Sequence, residues 1–200
     1  MPFGASIVEI TCWRAYLWQH LQSTGYTNID FVGSLSSSTQ CGSPTIDYDR
    51  HHEGHSGFLA IDIANKEQLP GWLKANPAKI ITMHLGTNDI RAGYGTKDIL
   101  AAYSTLIDQM RASNPAMKII VAQIIPMPSN NSAIMDLNAG IPAWAVSKNS
   151  TNSPIWVVDQ YTGFLSSDLR PDGIHPNDSG DHKMEAKWYP AMLRAIASLR

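Results

Sequence analysis

Lys79-Ile80-Ile81-Thr82-Met83-His84-Leu85 followed by Gly86-Thr87-Asn88-Asp89 is the stretch from which the architecture can be read. Its first seven residues are mostly apolar and read as a buried strand that Gly86 brings to an end. A strand that lacks polar alternation needs cover on both faces, which is the condition of strands in parallel sheets. Downstream, Lys118 to Ile125 is rich in Ile and Val, and Pro126-Met127-Pro128 stops it. Ile155-Trp156-Val157-Val158-Asp159 repeats the pattern. Upstream, Met1 to Phe3 and Ile29-Asp30-Phe31-Val32-Gly33 read as shorter strands.

Helical spacing fills the intervals. Ile99, Leu100, Tyr103, Leu106, Ile107 and Met110 form one apolar face between Asp98 and Ser113, and Asn114-Pro115 ends it. Cys12 to Leu21 reads as a helix. Phe58 to Asn65 and Glu67 to Ala75 read as short helical pieces broken at Pro70-Gly71, and Ser132 to Ser147 as a helix weakened at Gly140-Ile141-Pro142. Asn177 to Leu199 is the last helix, capped by Asn177 or Asp178 and kinked at Pro190. Ser34 to Gly57 reads as one long polar loop, and loops of that length are usually functional. Strands alternating with helices predict an α/β chain with a parallel sheet covered on both faces. No internal repeat or domain boundary is visible in the 200 residues, so one domain is expected.

The composition is 44% hydrophobic and 16% charged, with a net charge of −2, which describes an ordinary globular chain with a sizeable core. No basic patch predicts nucleic acid, and no run of 18 apolar residues predicts a membrane span. The two cysteines, Cys12 and Cys41, fit one disulfide in an oxidising compartment or two unrelated thiols. N-x-S/T sites at Asn130, Asn149 and Asn177 lean mildly toward secretion.

In a parallel sheet, ligands bind where strands end at their carboxyl edge. That rule places four polar features on one rim. Gly4-Ala5-Ser6-Ile7 is a small-residue turn ahead of a helix, with a serine near free backbone N–H groups. Gly54-His55-Ser56-Gly57 precedes another helix and offers a backbone N–H with no side chain in the way. In Gly86-Thr87-Asn88-Asp89 a side-chain amide at a strand end is suited to a developing oxyanion. In Asp172-Gly173-Ile174-His175-Pro176 a carboxylate three residues before a histidine can orient its ring.

Ser6, Gly57, Asn88 and His175 occur in the order and context of the SGNH hydrolases, the GDSL-type esterases and lipases, which this chain resembles. The first block departs, with Ala5 where the usual motif has Asp, a position outside the triad. Thr11-Cys12-Trp13-Arg14-Ala15-Tyr16-Leu17, Phe31-Val32-Gly33-Ser34, Glu53-Gly54-His55-Ser56-Gly57 and Val157-Val158-Asp159 resemble carbohydrate esterase family 3. The resemblance implies a three-layer α/β/α sandwich of SGNH-hydrolase (flavodoxin-like) fold, with a five-stranded parallel sheet of order 2-1-3-4-5. It implies Ser6 as nucleophile, His175 as base and Asp172 as its orienter, with Ser6, Gly57 and Asn88 around the oxyanion. It also implies an esterase acting on acetylated xylan or a related polysaccharide, and the chain is expected to be secreted, extracellular and monomeric. No cofactor is required, and nothing suggests a nucleic-acid or membrane partner. Rival expectations are another esterase or lipase of the superfamily, or a non-catalytic carbohydrate-binding protein.

Other residues carry weaker expectations. His51, His52, Glu53 and His55 cluster, but the pattern is not that of a helical zinc site, so no metal is expected there. His55 is expected to line the pocket. Some relatives carry a structural calcium, for which Asp47, Asp49 and Glu53 have the right oxygen chemistry but no fixed site. Arg14 either ties down the long loop or is exposed. Trp18, Trp72, Trp156 and Trp188 read as core, and Trp13 and Trp144 as candidates for sugar contact. Cys12 and Cys41 are expected to bridge the first helix to the long loop. Asp159 ends a strand on the rim, where a cap, a pocket wall and, by preference, satisfaction of polar groups in the core are the expectations.

Overall fold

The apolar stretch that begins near Lys79 forms β4, Ile80–His84, in the middle of the sheet. The computed structural model describes residues 1–199. β1 (Pro2–Gly4) pairs in parallel with β4 on one side and with β3 (His51–Gly54) on the other. β5 (Lys118–Gln123) and β6 (Ile155–Asp159) extend the far side, also in parallel. A two-residue antiparallel edge, β2 (Leu35–Ser36), completes the order β2-β3-β1-β4-β5-β6. The five parallel strands thus follow the expected order, with β2 added at the edge.

The second parallel strand lies elsewhere than the apolar pattern suggests. Ile29 to Gly33 takes no strand conformation, and β3 comes from the polar loop. A polar strand can be buried only if its side chains find partners. Glu53 is fully buried and accepts from the backbone N–H and hydroxyl of Ser34 and from His55 Nε2. Burial pushes its carboxyl up, but the His55 and Ser34 hydrogen bonds outweigh that and hold it below the usual range. His52 Nδ1 accepts from the Gly54 N–H, and burial lowers its ring to about 3, so it stays neutral.

Alternate residues of β5 face opposite helical layers, as the period of a strand requires. Ile119 and Val121 pack with α3 (Ala60–Asn65), α4 (Gln68–Ala75), α6 (Thr96–Ser113) and α7 (Asn131–Lys148). Ile120 and Ala122 pack with α2 (Trp13–Ser23) and α8 (Asp178–Ala197), where Trp13 and Trp188 lie 5.5 Å apart. The expected break at Pro70-Gly71 does not occur, and α7 and α8 each continue through an internal proline. Pro70 falls in the first turn of α4, where a helix has no use for its N–H. Pro142 frees the Asn138 carbonyl inside α7, and Gln123 Nε2 donates to it at 2.8 Å instead. α8 also runs on through Pro190, and Asn177 is its cap, accepting from the Gly180 N–H.

Two further helices are short and lie at the carboxyl ends of strands: α1 (Ser6–Glu9) after β1 and α5 (Thr87–Arg91) after β4. Among the described residues no helix is long and apolar enough to cross a membrane.

Candidate active site

Ser6 opens α1, two residues beyond β1. The turn is tight enough to require Gly4, because a Cβ there would lie 2.2 Å from the His84 carbonyl oxygen. α1 is a single turn whose cap N–H, on Ile10, serves only the Ser6 carbonyl, so the carbonyls of Ile7, Val8 and Glu9 need donors from outside the helix. Side chains of the following segment take them. Trp13 Nε1 donates to the Ile7 carbonyl at 2.9 Å and Arg14 Nε to the Val8 carbonyl at 2.6 Å. Arg14 Nη2 reaches the Glu9 carbonyl, Nη1 the Arg50 carbonyl, and Arg170 Nη2 the Ile10 carbonyl. Arg14 is fully buried, and burial lowers its guanidinium to about 10, which leaves it charged at neutral pH. Three residues of β1 suffice because this set of donors, and not strand length, locks the turn.

His175 comes from the loop between β6 and α8. That loop doubles back on itself: Arg170 N–H donates to the His175 carbonyl at 2.7 Å, Asn177 N–H to the Asp168 carbonyl at 2.8 Å, and Leu169 bridges Pro176. Asp168 is buried and accepts from Leu165 N–H, Ser179 Oγ and Lys183 Nζ. The result places His175 Nε2 at 2.8 Å from Ser6 Oγ and His175 Nδ1 at 2.8 Å from Asp172 Oδ2. Asp172 Oδ1 accepts from the backbone N–H groups of Ile174 and His175. Partial burial pushes the Asp172 carboxyl up, but the hydrogen bonds from His175 and Ile174 win and hold it at about 2. An ionised Asp172 fixes Nδ1 as the protonated ring nitrogen, which leaves Nε2 free to accept the serine proton.

Gly57 adopts φ +83°, a conformation that favours glycine, in a turn closed by Phe58 N–H on the His55 carbonyl. His55 N–H donates to the Gly4 carbonyl at 3.0 Å, which ties this turn to the Ser6 turn. Asn88 lies in α5 and spends one amide N–H on the Phe58 carbonyl at 3.0 Å. The loops bearing Ser6, Gly57, Asn88, Asp172 and His175 therefore meet at the carboxyl rim of the sheet.

Other expectations fare differently. His55 is mostly buried, stacked against both Trp72 (ring centroids 4.1 Å) and Phe58 (4.9 Å), which also meet each other, and bonded to Glu53. Trp144 is not brought to the site; it packs edge-on to Tyr103 in the α6–α7 core and donates to Ser104 Oγ. Its spacing in α7 is that of a core residue. Trp13 is also fully buried. Asp159 closes a turn, accepting from Tyr161 and Thr162 N–H. Cys12 and Cys41 form a disulfide, 5.5 Å between Cα atoms. Among the described residues no three His, Cys, Asp or Glu side chains are grouped to hold a metal ion. Asp49 spends its carboxylate on Phe31 N–H and on His51.

A family model, that of the GDSL-like lipases and acylhydrolases, matches residues 3–183. The chain belongs to this family. Among the solved structures it is similar to are two carbohydrate esterases of family 3 and an acetyl esterase. An enzyme of that family from Talaromyces cellulolyticus is 36% identical, covers 98% of this chain over 97% of its own, and superposes with a TM-score of 0.90. An acetyl esterase, solved as a serine-to-alanine mutant with an acetate ion, is 34% identical over 100% of this chain and 98% of that one, with a TM-score of 0.93. A family 3 carbohydrate esterase of Clostridium thermocellum is 28% identical over 98% of this chain and 97% of that one, with a TM-score of 0.82. A multidomain esterase of Ruminococcus flavefaciens is 27% identical over 94% of this chain, which spans only 27% of that protein's length. This GDSL-type protein is an esterase. Ala5, buried beside the serine, does not disturb the contact between Ser6 and His175.

Proposed function

We propose that this esterase removes acetyl groups from acetylated xylan or a related polysaccharide through an acyl-enzyme intermediate. The observation that carries the reading is the 2.8 Å contact of Ser6 Oγ with His175 Nε2, with Asp172 behind the ring. Ser6 Oγ attacks the acetyl carbonyl while His175 Nε2 takes its proton. The backbone N–H groups of Ser6 and Gly57 and the remaining N–H of the Asn88 amide hold the negative oxygen. The tetrahedral intermediate collapses, the C–O bond to the sugar breaks, and His175 returns the proton to the departing hydroxyl. Water then attacks the acetyl-serine with His175 again as base, which releases acetate and restores Ser6.

Acetate as the acid released is supported by the likeness to acetyl esterases and to carbohydrate esterase family 3. Secretion is supported by the Cys12–Cys41 disulfide, since such bonds persist in oxidising compartments. The test compares acetate release from acetylated xylan with hydrolysis of p-nitrophenyl esters from acetate to laurate. Deacetylation of xylan is expected, together with a rate at least about tenfold lower for chains beyond butyrate, a size discrimination within reach of a pocket built for a small acyl group. Rates that rise with chain length would assign a lipid acyl hydrolase instead. No turnover of any ester would assign a carbohydrate-binding protein.

A further inference from the structure

We infer that Glu9 is a positioning residue for the oxyanion site, its carboxylate holding the Ser56-Gly57 turn against the helix that carries Ser6. The inference rests on the proposed roles of Ser6 and Gly57. Glu9 is the last residue of α1, where the helix end is negative and a carboxylate is out of place on local grounds. The side chain does not answer this by pairing with either arginine nearby. Its Oε2 accepts from the Ser56 backbone N–H at 2.7 Å and from the Ser56 hydroxyl, across 47 residues of sequence. Hydrogen bonds to a charged acceptor are about twice as strong as neutral ones.

The position of that bond is informative. The Ser56 N–H and the Gly57 N–H lie in successive peptide planes separated only by the two Ser56 backbone torsions, so holding Ser56 at its N–H and hydroxyl helps to aim the Gly57 N–H. Gly57 is open on its Cβ side: apart from its chain neighbours, no atom lies within 4 Å of where a Cβ would be. The turn is otherwise held at its two flanks, by His55 N–H on the Gly4 carbonyl and by Asn88 Nδ2 on the Phe58 carbonyl. Glu9 supplies the tie at its centre. It starts from the same single-turn helix whose first residue is Ser6, so nucleophile and oxyanion donor are joined through one short segment. The Glu9 backbone carbonyl is itself fixed, by Arg14 Nη2 and by Ser37 Oγ.

The test is steady-state kinetics on p-nitrophenyl acetate for Glu9→Ala, Glu9→Gln and Ser6→Ala, with inhibition by phenylboronic acid as a tetrahedral mimic. Complete loss of one oxyanion donor costs about 100- to 1,000-fold, so a misaimed one in Glu9→Ala is expected to lower kcat about 10- to 100-fold. KM should stay within about twofold, because the donor acts in the transition state, and boronic acid affinity should fall in step with kcat. Glu9→Gln keeps an acceptor for Ser56 and should retain kcat within about threefold. An unchanged kcat in Glu9→Ala, or Gln and Ala variants equally impaired, would overturn the inference. If Glu9→Ala does not fold, Glu9→Asp carries the test: it keeps the charge but shortens the reach, and full kcat there would overturn the inference. Ser6→Ala separates the two levels. If it stays active, the proposed site is wrong; if it is inactive while Glu9→Ala is unimpaired, only the role of Glu9 fails.

Discussion

Asp89 caps a helix that begins 29 residues before it in the chain. Its Oδ2 accepts from the Ala60 N–H at 2.9 Å and its Oδ1 from the Ile61 N–H at 3.1 Å. The residue at the cap position of α3 is Leu59, which has no side-chain acceptor to offer. Asn88, one residue earlier, donates to the Phe58 carbonyl. The Gly86–Asp89 block is thus bound to the segment after Gly57 by three hydrogen bonds. The same device recurs at α2, where Asp181 of α8 accepts from the N–H of the cap residue Cys12 and of the first helical residue Trp13.

Asp89→Ala is expected to cost about 2–3 kcal/mol, since it leaves two helix N–H donors without a partner in a buried place. For a chain of this size that corresponds to a fall of about 4–12 °C in Tm. Thermal unfolding followed by circular dichroism checks it. Asp89→Asn, which keeps one acceptor oxygen, should lose less. A Tm unchanged by Asp89→Ala would remove the cap from the account.

The Asp172 carboxyl is depressed to about 2 from an unfolded value near 3.9. A depressed folded pKa means that the group stabilises the native state above the unfolded value and ceases to do so as pH falls through the folded one. The Asp172 contribution is therefore present above about pH 4 and lost toward pH 2. Asp172→Asn should flatten the pH dependence of stability across that window. At neutral pH the same variant should lower kcat by about 100- to 10,000-fold, because an amide no longer selects the Nδ1-protonated ring. Unfolding titrations between pH 2 and 5 and kinetics at pH 7 test the two halves separately. Wild-type kcat in Asp172→Asn would contradict the orienting role.

How much of this could be read beforehand depends on whether the signal was local. β4 and β5 were legible because their apolar runs need burial on both faces. The rim blocks were legible because Asn88 and the Asp172–His175 pair carry their chemistry within a few residues. β3 was not, because His52 and Glu53 are polar and become core only through Ser34, His55 and the Gly54 N–H, partners that no periodicity reports. The apolar Ile29–Gly33 run was the more persuasive strand and proved otherwise. Arg14 left two readings open, and the three carbonyls it serves could be identified only in three dimensions. Asp168 and Arg170, which shape the histidine loop, gave no separate signal, although both lie within seven residues of His175.

The central claim is that Ser6 is the nucleophile. Its most direct test is acetate release from acetylated xylan by the wild-type chain and by Ser6→Ala at equal concentration, with folding of both verified by circular dichroism. Release by the wild type is expected, with a loss of at least about 1,000-fold in the variant, as removal of a catalytic serine brings elsewhere. Equal rates from the two proteins would contradict the claim.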